Sequence, residues 1–185
     1  MEQQQNPWKV KSSALHYDNP WISLTEHQVI NPSGGDGIYG VVHFKNIAIG
    51  VVALDDEGHT WLVGQYRFAL NAYSWEIPEG GGPLGTDPLE SAKRELLEET
   101  GLVAERWDLI VHMHLSNSVS NEYGMVFLAR GLEQREPEPE ETEQLAILRL
   151  PFKKAYEMVK NHEITDSLSI AAIQKIQLMM LEGEL

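Results

Sequence analysis

The chain has 185 residues, no cysteine and a formal net charge of −14 at pH 7, with 42% of its residues apolar. This length suits one domain, or one domain with a small appendage, and the apolar share is enough for a core. The acidic balance argues against nucleic acid or an anionic membrane as partner, and the missing cysteine removes disulfides, thiolate metal sites and a cysteine nucleophile.

The first ten residues, MEQQQNPWKV, are polar and carry no apolar core segment, so no secretory signal is expected there. No run approaches the ~18 apolar residues of a membrane span. The default expectation is a soluble cytoplasmic protein. Residues 8–43 read as β-rich: 21–29 partly alternate, NPSGGDG at 31–37 turns the chain, and 38–43 return it. The pattern predicts an antiparallel hairpin ahead of the main domain, with residues 1–45 as a small amino-terminal segment and 46–185 as the main domain. Within the latter, 47–54 is an apolar run of strand length, DDEG at 55–58 turns it and 60–66 return it. A short strand at 75–78 precedes a glycine-rich turn, then come a helix, strands at 108–115, 123–129 and 144–150, and helices at 151–161 and 166–181. Strands, helix, strands, helices is the order of a mixed α/β domain rather than of a repeating βαβ one.

The segment EGGGPLGTDPLESAKRELLEETGL, residues 79–102, holds most of the chemistry. Asp87 is a good N-cap, Pro88 suits the first helical position, Glu90 stands where a capping box wants its carboxylate, and Gly101 is a natural stop. Leu89, Ala92, Leu96 and Leu97 form one apolar stripe. Glu95, Glu98 and Glu99 gather on the other side, with Arg94 within reach of Glu90 and Glu98. One reading is a solvated acidic face. The other is a cage for a hard divalent cation such as Mg²⁺, which prefers carboxylate, water and substrate-phosphate oxygens.

Gly80 followed by Arg94-Glu95-Leu96-Leu97-Glu98-Glu99-Thr100-Gly101-Leu102 closely resembles the box of the Nudix hydrolases, G-x5-E-x7-R-E-U-x-E-E-x-G-U with U apolar. One position departs: Thr86 stands where the motif has its first Glu. The resemblance implies an α/β/α sandwich with a mixed sheet. It also implies metal-dependent hydrolysis of a nucleoside diphosphate linked to a second group, with Mg²⁺ or Mn²⁺ as cofactor. By the same resemblance Glu95 and Glu99 lead as metal ligands, Glu98 is a further ligand and catalytic carboxylate, the carbonyl of Glu79 is another ligand, and Arg94 orients a box carboxylate.

Residues outside the box narrow the group. Gly64-Gln65-Tyr66-Arg67 and Trp75-Glu76-Ile77-Pro78-Glu79-Gly80 resemble the "QYR … E-(L/I)-P-(A/E)-G" run of ADP-ribose and nucleotide-sugar pyrophosphatases, and Asn19-Pro20-Trp21, residues 151–155 and 163–167 fit the same group. This implies a nucleoside diphosphate sugar as substrate and a homodimer, in which the amino-terminal segment, too small for a core of its own, embraces a second subunit. Arg67 is expected to bind phosphate, or else to form a salt bridge. Glu76 is expected to pair with Arg67, to touch sugar or base, or to serve the strand. In such enzymes a loop swings a Glu over the metals; in EQREPEPEETE, residues 133–143, the best match is Glu143, with Glu141 second. A Pro that such enzymes often carry beyond the box is missing from residues 114–122, which leaves room for a nucleotide sugar other than ADP-ribose. His112 and His114 share one side of a strand without an evident third metal ligand, and Trp21 or Tyr39 offers a ring for stacking or for packing.

Overall fold

The computed structural model describes residues 5–135 and 145–185. The chain divides into two compact units: Met1–Asn46 together with Ser116–Glu122, and Ile47–Leu115 together with Tyr123–Leu185.

The first unit is a three-stranded antiparallel sheet, β1 (Lys9–Asp18), β2 (Ile22–Ile30) and β3 (Asp36–Phe44), in that spatial order. Two of these strands match the expected hairpin; β1 is additional. Its sequence shows no alternation because both of its faces are exposed, so only its ladder with β2 reveals it. The free edge of β3 is covered by the segment 116–122. The Val42 N–H donates to the carbonyl of Val119, the Asn121 N–H donates back to the Val42 carbonyl, and the Tyr39 hydroxyl donates to the Ser118 carbonyl at 2.6 Å. An edge that would otherwise offer unpaired backbone groups is covered in this way around Val42. Val10, Leu15, Tyr17, Trp21 and Ile38 nonetheless remain exposed.

The second unit contains β4 (Asn46–Ala53), β5 (His59–Arg67), β6 (Ala72–Glu76), β7 (Glu79–Pro83), α1 (Pro88–Thr100), β8 (Leu102–His114), β9 (Tyr123–Gln134), β10 (Ala146–Pro151), α2 (Phe152–Lys160) and α3 (Ser167–Glu182). The strands form a four-stranded sheet ordered β7-β4-β9-β8 and a three-stranded sheet ordered β10-β5-β6. β4 runs parallel to β9, whereas β8 is antiparallel to it, so the larger sheet is mixed.

The continuous apolar run of β4 follows from burial on both faces. Ile49, Val51 and Ala53 pack with Phe127 and Ala129 of β9 against Ala92 and Leu96 of α1. The alternate residues, Val52 with Val126 and Leu128, pack against Phe152, Ala155 and Val159 of α2 and Leu168, Ala172, Ile173 and Ile176 of α3. A period of two in the strands thus builds helix, sheet and helices in three layers.

The glycine stretch expected as a turn is the strand β7. Its glycines at 80, 81 and 82 are not among the residues with positive φ; the turn comes later, at Gly85 with φ 86°.

Candidate active site

Helix α1 starts and stops by local chemistry. The Asp87 carboxylate accepts from the Leu89 N–H at 3.0 Å and Pro88 opens the helix. Gly101, in the left-handed region at φ 72°, donates its N–H to the Leu97 carbonyl. The reciprocal half of the expected capping box does not form, because Glu90 pairs with Lys93 at 2.7 Å. Thr86, at the departing motif position, donates its hydroxyl to the Pro83 carbonyl at 2.6 Å and so belongs to the turn before the helix.

The acidic side of α1 is not a solvated face. Glu95 and Glu99 are only 7% and 2% exposed. Buried carboxylates are costly unless paired or held to a cation, and each of these two has protein partners. Arg94 reaches Glu95 and Glu98 through different guanidinium nitrogens, both at 2.5 Å, and its Nη2 also donates to the Gly81 carbonyl at 3.0 Å. Arg94 therefore ties two box carboxylates to β7 and does not touch Glu90. Glu99 accepts from the Glu79 backbone N–H at 2.9 Å through Oε2.

Gly80 explains how strand and helix come so close. A Cβ built there would strike the whole carboxyl group of Glu95, and one at Gly82 would crowd Ile49 and Ser91. Gly80 is required for backbone approach to the Glu95 carboxylate and Gly82 for approach to Ile49 and Ser91, neither of them for a turn.

Beside them lies a second charged assembly. Arg67 at the end of β5 donates from Nε to both oxygens of Glu76 at 3.0 Å, and from Nη2 to Glu76 Oε2 and to Glu79 Oε1 at 2.9 Å. Glu76 is 2% exposed. Arg67 thus has its Nε and Nη2 engaged by carboxylates. The second oxygen of Glu79 is buried with no protein hydrogen-bond partner. Burial above all, then the charges of Asp166 and Glu76, push the Glu79 carboxyl well above the ordinary value of 4.5; Arg67 opposes this and Glu99 adds to it.

Asp166 and Ser169 are members of this neighbourhood that the sequence did not single out. Asp166 caps α3 by accepting from the Ser169 N–H at 2.7 Å. The Ile77 N–H donates to Ser169 Oγ at 2.9 Å across 92 residues of chain, fastening the link between Glu76 and Glu79 to α3. Asp166 was visible as a helix start, but nothing local marks its electrostatic influence on Arg67 and Glu79.

Trp21 belongs to the first unit, at the turn between β1 and β2, with an exposed indole. Tyr39 packs edge-on against Trp8 at 5.2 Å. His112 shares a 2.7 Å hydrogen bond with the Tyr123 hydroxyl, and His114 lies 5.1 Å from the same ring. Glu141 and Glu143 lie outside the described residues. Among the described residues, one group of His and carboxylate ligand atoms converges within 4.8 Å, that of Asp55, Glu57 and His59. Arg149 already bridges its two carboxylates at 2.5 and 2.8 Å and stacks over Trp61, which makes the group a clasp on the β4–β5 turn.

The box residues fit a divalent cation on two grounds. Glu95, Glu98 and Glu99 supply hard oxygen donors from one rigid helix, and beside them one side-chain oxygen of Glu79 is buried without a protein hydrogen-bond partner.

Comparison with known proteins agrees with this geometry. Residues 44–170 match the NUDIX domain, and residues 8–42 match the nucleoside diphosphate sugar hydrolase N-terminal domain. The chain is 36% identical over 168 residues to an ADP-ribose pyrophosphatase of Mycobacterium tuberculosis (strain ATCC 25618 / H37Rv), covering 89% of this chain and 80% of that protein. It is 32% identical over 159 residues to a methanol dehydrogenase activator of Bacillus methanolicus, covering 85% of each, and 34% identical over 133 residues to an ADP-ribose pyrophosphatase of Bacillus subtilis (strain 168), covering 71% of this chain and 72% of that protein. A solved structure described as an ADP compounds hydrolase superposes over the full length of both chains with a TM-score of 0.86 at 17% identity, which speaks to the fold. With a box helix of buried carboxylates, the glycine strand that admits them and a matching domain over most of its length, the chain belongs to the Nudix family.

Proposed function

We propose that this protein hydrolyses the pyrophosphate bond of ADP-ribose or a closely related nucleoside diphosphate sugar, giving a nucleoside monophosphate and a sugar phosphate. The observation that carries the reading is the burial of Glu95 and Glu99 against the side-chain-free strand at Gly80, an arrangement with a purpose at a cation site and none in a plain structural helix. The relatives named as ADP-ribose pyrophosphatases support the substrate class.

In this reading Glu95, Glu98, Glu99 and the Glu79 carbonyl hold Mg²⁺ or Mn²⁺. Bound there, such ions polarise phosphoryl oxygens and favour attack by water on phosphorus. Arg94 keeps Glu95 and Glu98 facing one side of α1 through its two contacts. Glu98, the most accessible of the three, is available as a ligand or to accept a proton, and Glu143 is the proposed loop carboxylate that takes the proton of the attacking water. With a net charge of −14, the protein depends on local cations to hold a diphosphate.

The first unit is proposed to make the protein a homodimer. An edge strand β1 paired on one side only, and exposed Val10, Leu15, Tyr17, Trp21 and Ile38, support a partner surface there. Trp21 is proposed to contact substrate from that segment.

A substrate panel tests the activity. Comparing kcat/KM for ADP-ribose, GDP-mannose, UDP-glucose, a diadenosine polyphosphate and dGTP with Mg²⁺ should place a nucleoside diphosphate sugar first. A preference for dGTP by about tenfold or more removes the substrate class while leaving the family chemistry in place.

A further inference from the structure

The assembly of Arg67, Glu76 and Glu79 is more than a salt bridge near the site. Glu76 is buried and gives both oxygens to the guanidinium, a fork geometry that fixes the plane of Arg67. With that plane fixed, Nη2 also reaches Glu79 Oε1. The backbone N–H of the same Glu79 holds Oε2 of Glu99. Residues of β5, β6, β7 and α1 are therefore linked, by side-chain hydrogen bonds from Glu76 through Arg67 to Glu79 and from there through the Glu79 backbone N–H to a box carboxylate.

A bridge serving stability alone would satisfy both oxygens of Glu79, yet one stays buried without a protein partner, and buried ion pairs of this kind add little to stability in themselves. The Glu79 peptide has another constraint. Its neighbour Gly80 lies against the Glu95 carboxyl, so the backbone of these two adjacent residues abuts both Glu95 and Glu99.

We propose that Arg67 is a positioning residue: clamped by Glu76, it holds the Glu79 side chain, and through the Glu79 backbone it fixes the Glu99 carboxylate in the orientation that a divalent cation requires. The inference rests on the proposed activity for its setting but concerns cation binding by the protein itself. Groups that orient ligating residues commonly change metal affinity by about 10- to 100-fold when altered. Glu79 adds a control, because the run that this segment resembles carries either Ala or Glu at that position, so Glu79→Ala is compatible with the fold.

The test is Mn²⁺ binding followed by electron paramagnetic resonance, without substrate, on the parent, Arg67→Lys, Glu79→Ala and the double variant. Lysine keeps the charge but cannot span Glu76 and Glu79 as a fork does. Arg67→Lys should raise the Mn²⁺ dissociation constant by about fivefold or more and leave the KM for ADP-ribose within about twofold of the parent. In the Glu79→Ala background the same change should add less than about twofold, because the connection is already cut. Should Arg67→Lys fail to fold, Glu76→Gln is compared in the two backgrounds in its place. An unchanged Mn²⁺ affinity with KM raised by about tenfold would make Arg67 a substrate contact and overturn the proposal, as would an undiminished effect in the Glu79→Ala background. A parent that binds Mn²⁺ but does not hydrolyse ADP-ribose counts against the proposed substrate and leaves the binding comparison intact.

Discussion

Gly80 and Glu95 are so close that no side chain fits between the strand and the carboxyl group. Glu95 must move if Gly80 acquires a Cβ, and it has little freedom, since Arg94 holds it by an ion pair. Gly80→Ala should therefore cut kcat by about tenfold or more and lower stability by about 1–3 kcal/mol, as overpacking does. Steady-state kinetics and thermal unfolding of the variant check both. Parental turnover would show that the approach has no part in placing the carboxylate.

Glu99→Gln keeps shape and helix propensity but removes the charge that a cation needs. We expect a loss of turnover of about a hundredfold or more at saturating Mg²⁺, with the circular dichroism spectrum unchanged, and much the same for Glu95→Gln. Turnover within about threefold of the parent in either variant would rule out the metal-cage assignment.

Asp87 offers a contrast between stability and activity. Its carboxylate caps α1 through Leu89 and contacts no box carboxylate. Asp87→Ala should cost about 1 kcal/mol, a fall of roughly 2–4 °C in Tm for a chain of this size, with kcat within about twofold of the parent. A collapse of kcat would show that Asp87 takes over the duty of the Glu missing at position 86.

Asp55 gives a pH-dependent signature. Burial pushes its pKa up, but donation from the His59 N–H, the Arg149 side chain and the Glu57 N–H outweighs that and leaves it below the ordinary 3.8. A carboxylate depressed in the folded state adds stability above its unfolded pKa and loses it as pH falls through the folded value. Asp55→Asn should therefore be less stable than the parent at pH 6, and the gap should close as pH drops below 3.8. Urea unfolding of both proteins at several pH values measures it; a gap that widens toward acid would contradict the assignment.

The proposed dimer is checked by sizing with light scattering, where about twice the chain mass of 20.9 kDa is expected. A Trp21→Ala variant of unchanged KM would separate assembly from the proposed substrate contact. A fully active monomer at micromolar concentration excludes both the dimer and the embracing segment.

What the sequence made legible was whatever is decided within a few residues or by a simple period. The bounds of α1 follow from Asp87, Pro88 and Gly101, each acting on its own neighbourhood, and β4 is readable because both faces are buried. β1 lay inside the stretch read as β-rich but was not distinguished as a strand of its own, being exposed on both faces and held by pairing with β2. Nor was β7, since glycine signals a turn by habit and here serves close approach. Spacing placed Glu95 and Glu99 on one side of α1 but could not tell that this side is buried. The partnership of Arg67 with Glu76 was among the readings open, whereas the contacts of Glu79 with Arg67 and Glu99, and of Ile77 with Ser169, join residues that only the tertiary fold brings together.

The strand β3 finishes its sheet with backbone from residues 116–122, far along the chain. A ribosome therefore delivers the first three strands well before the segment that closes their edge. At about 5–20 residues per second, β3 waits several seconds with its outer N–H and C=O groups uncovered. During that interval the nascent chain is open to pairing with a neighbouring polypeptide, including another copy emerging from the same messenger.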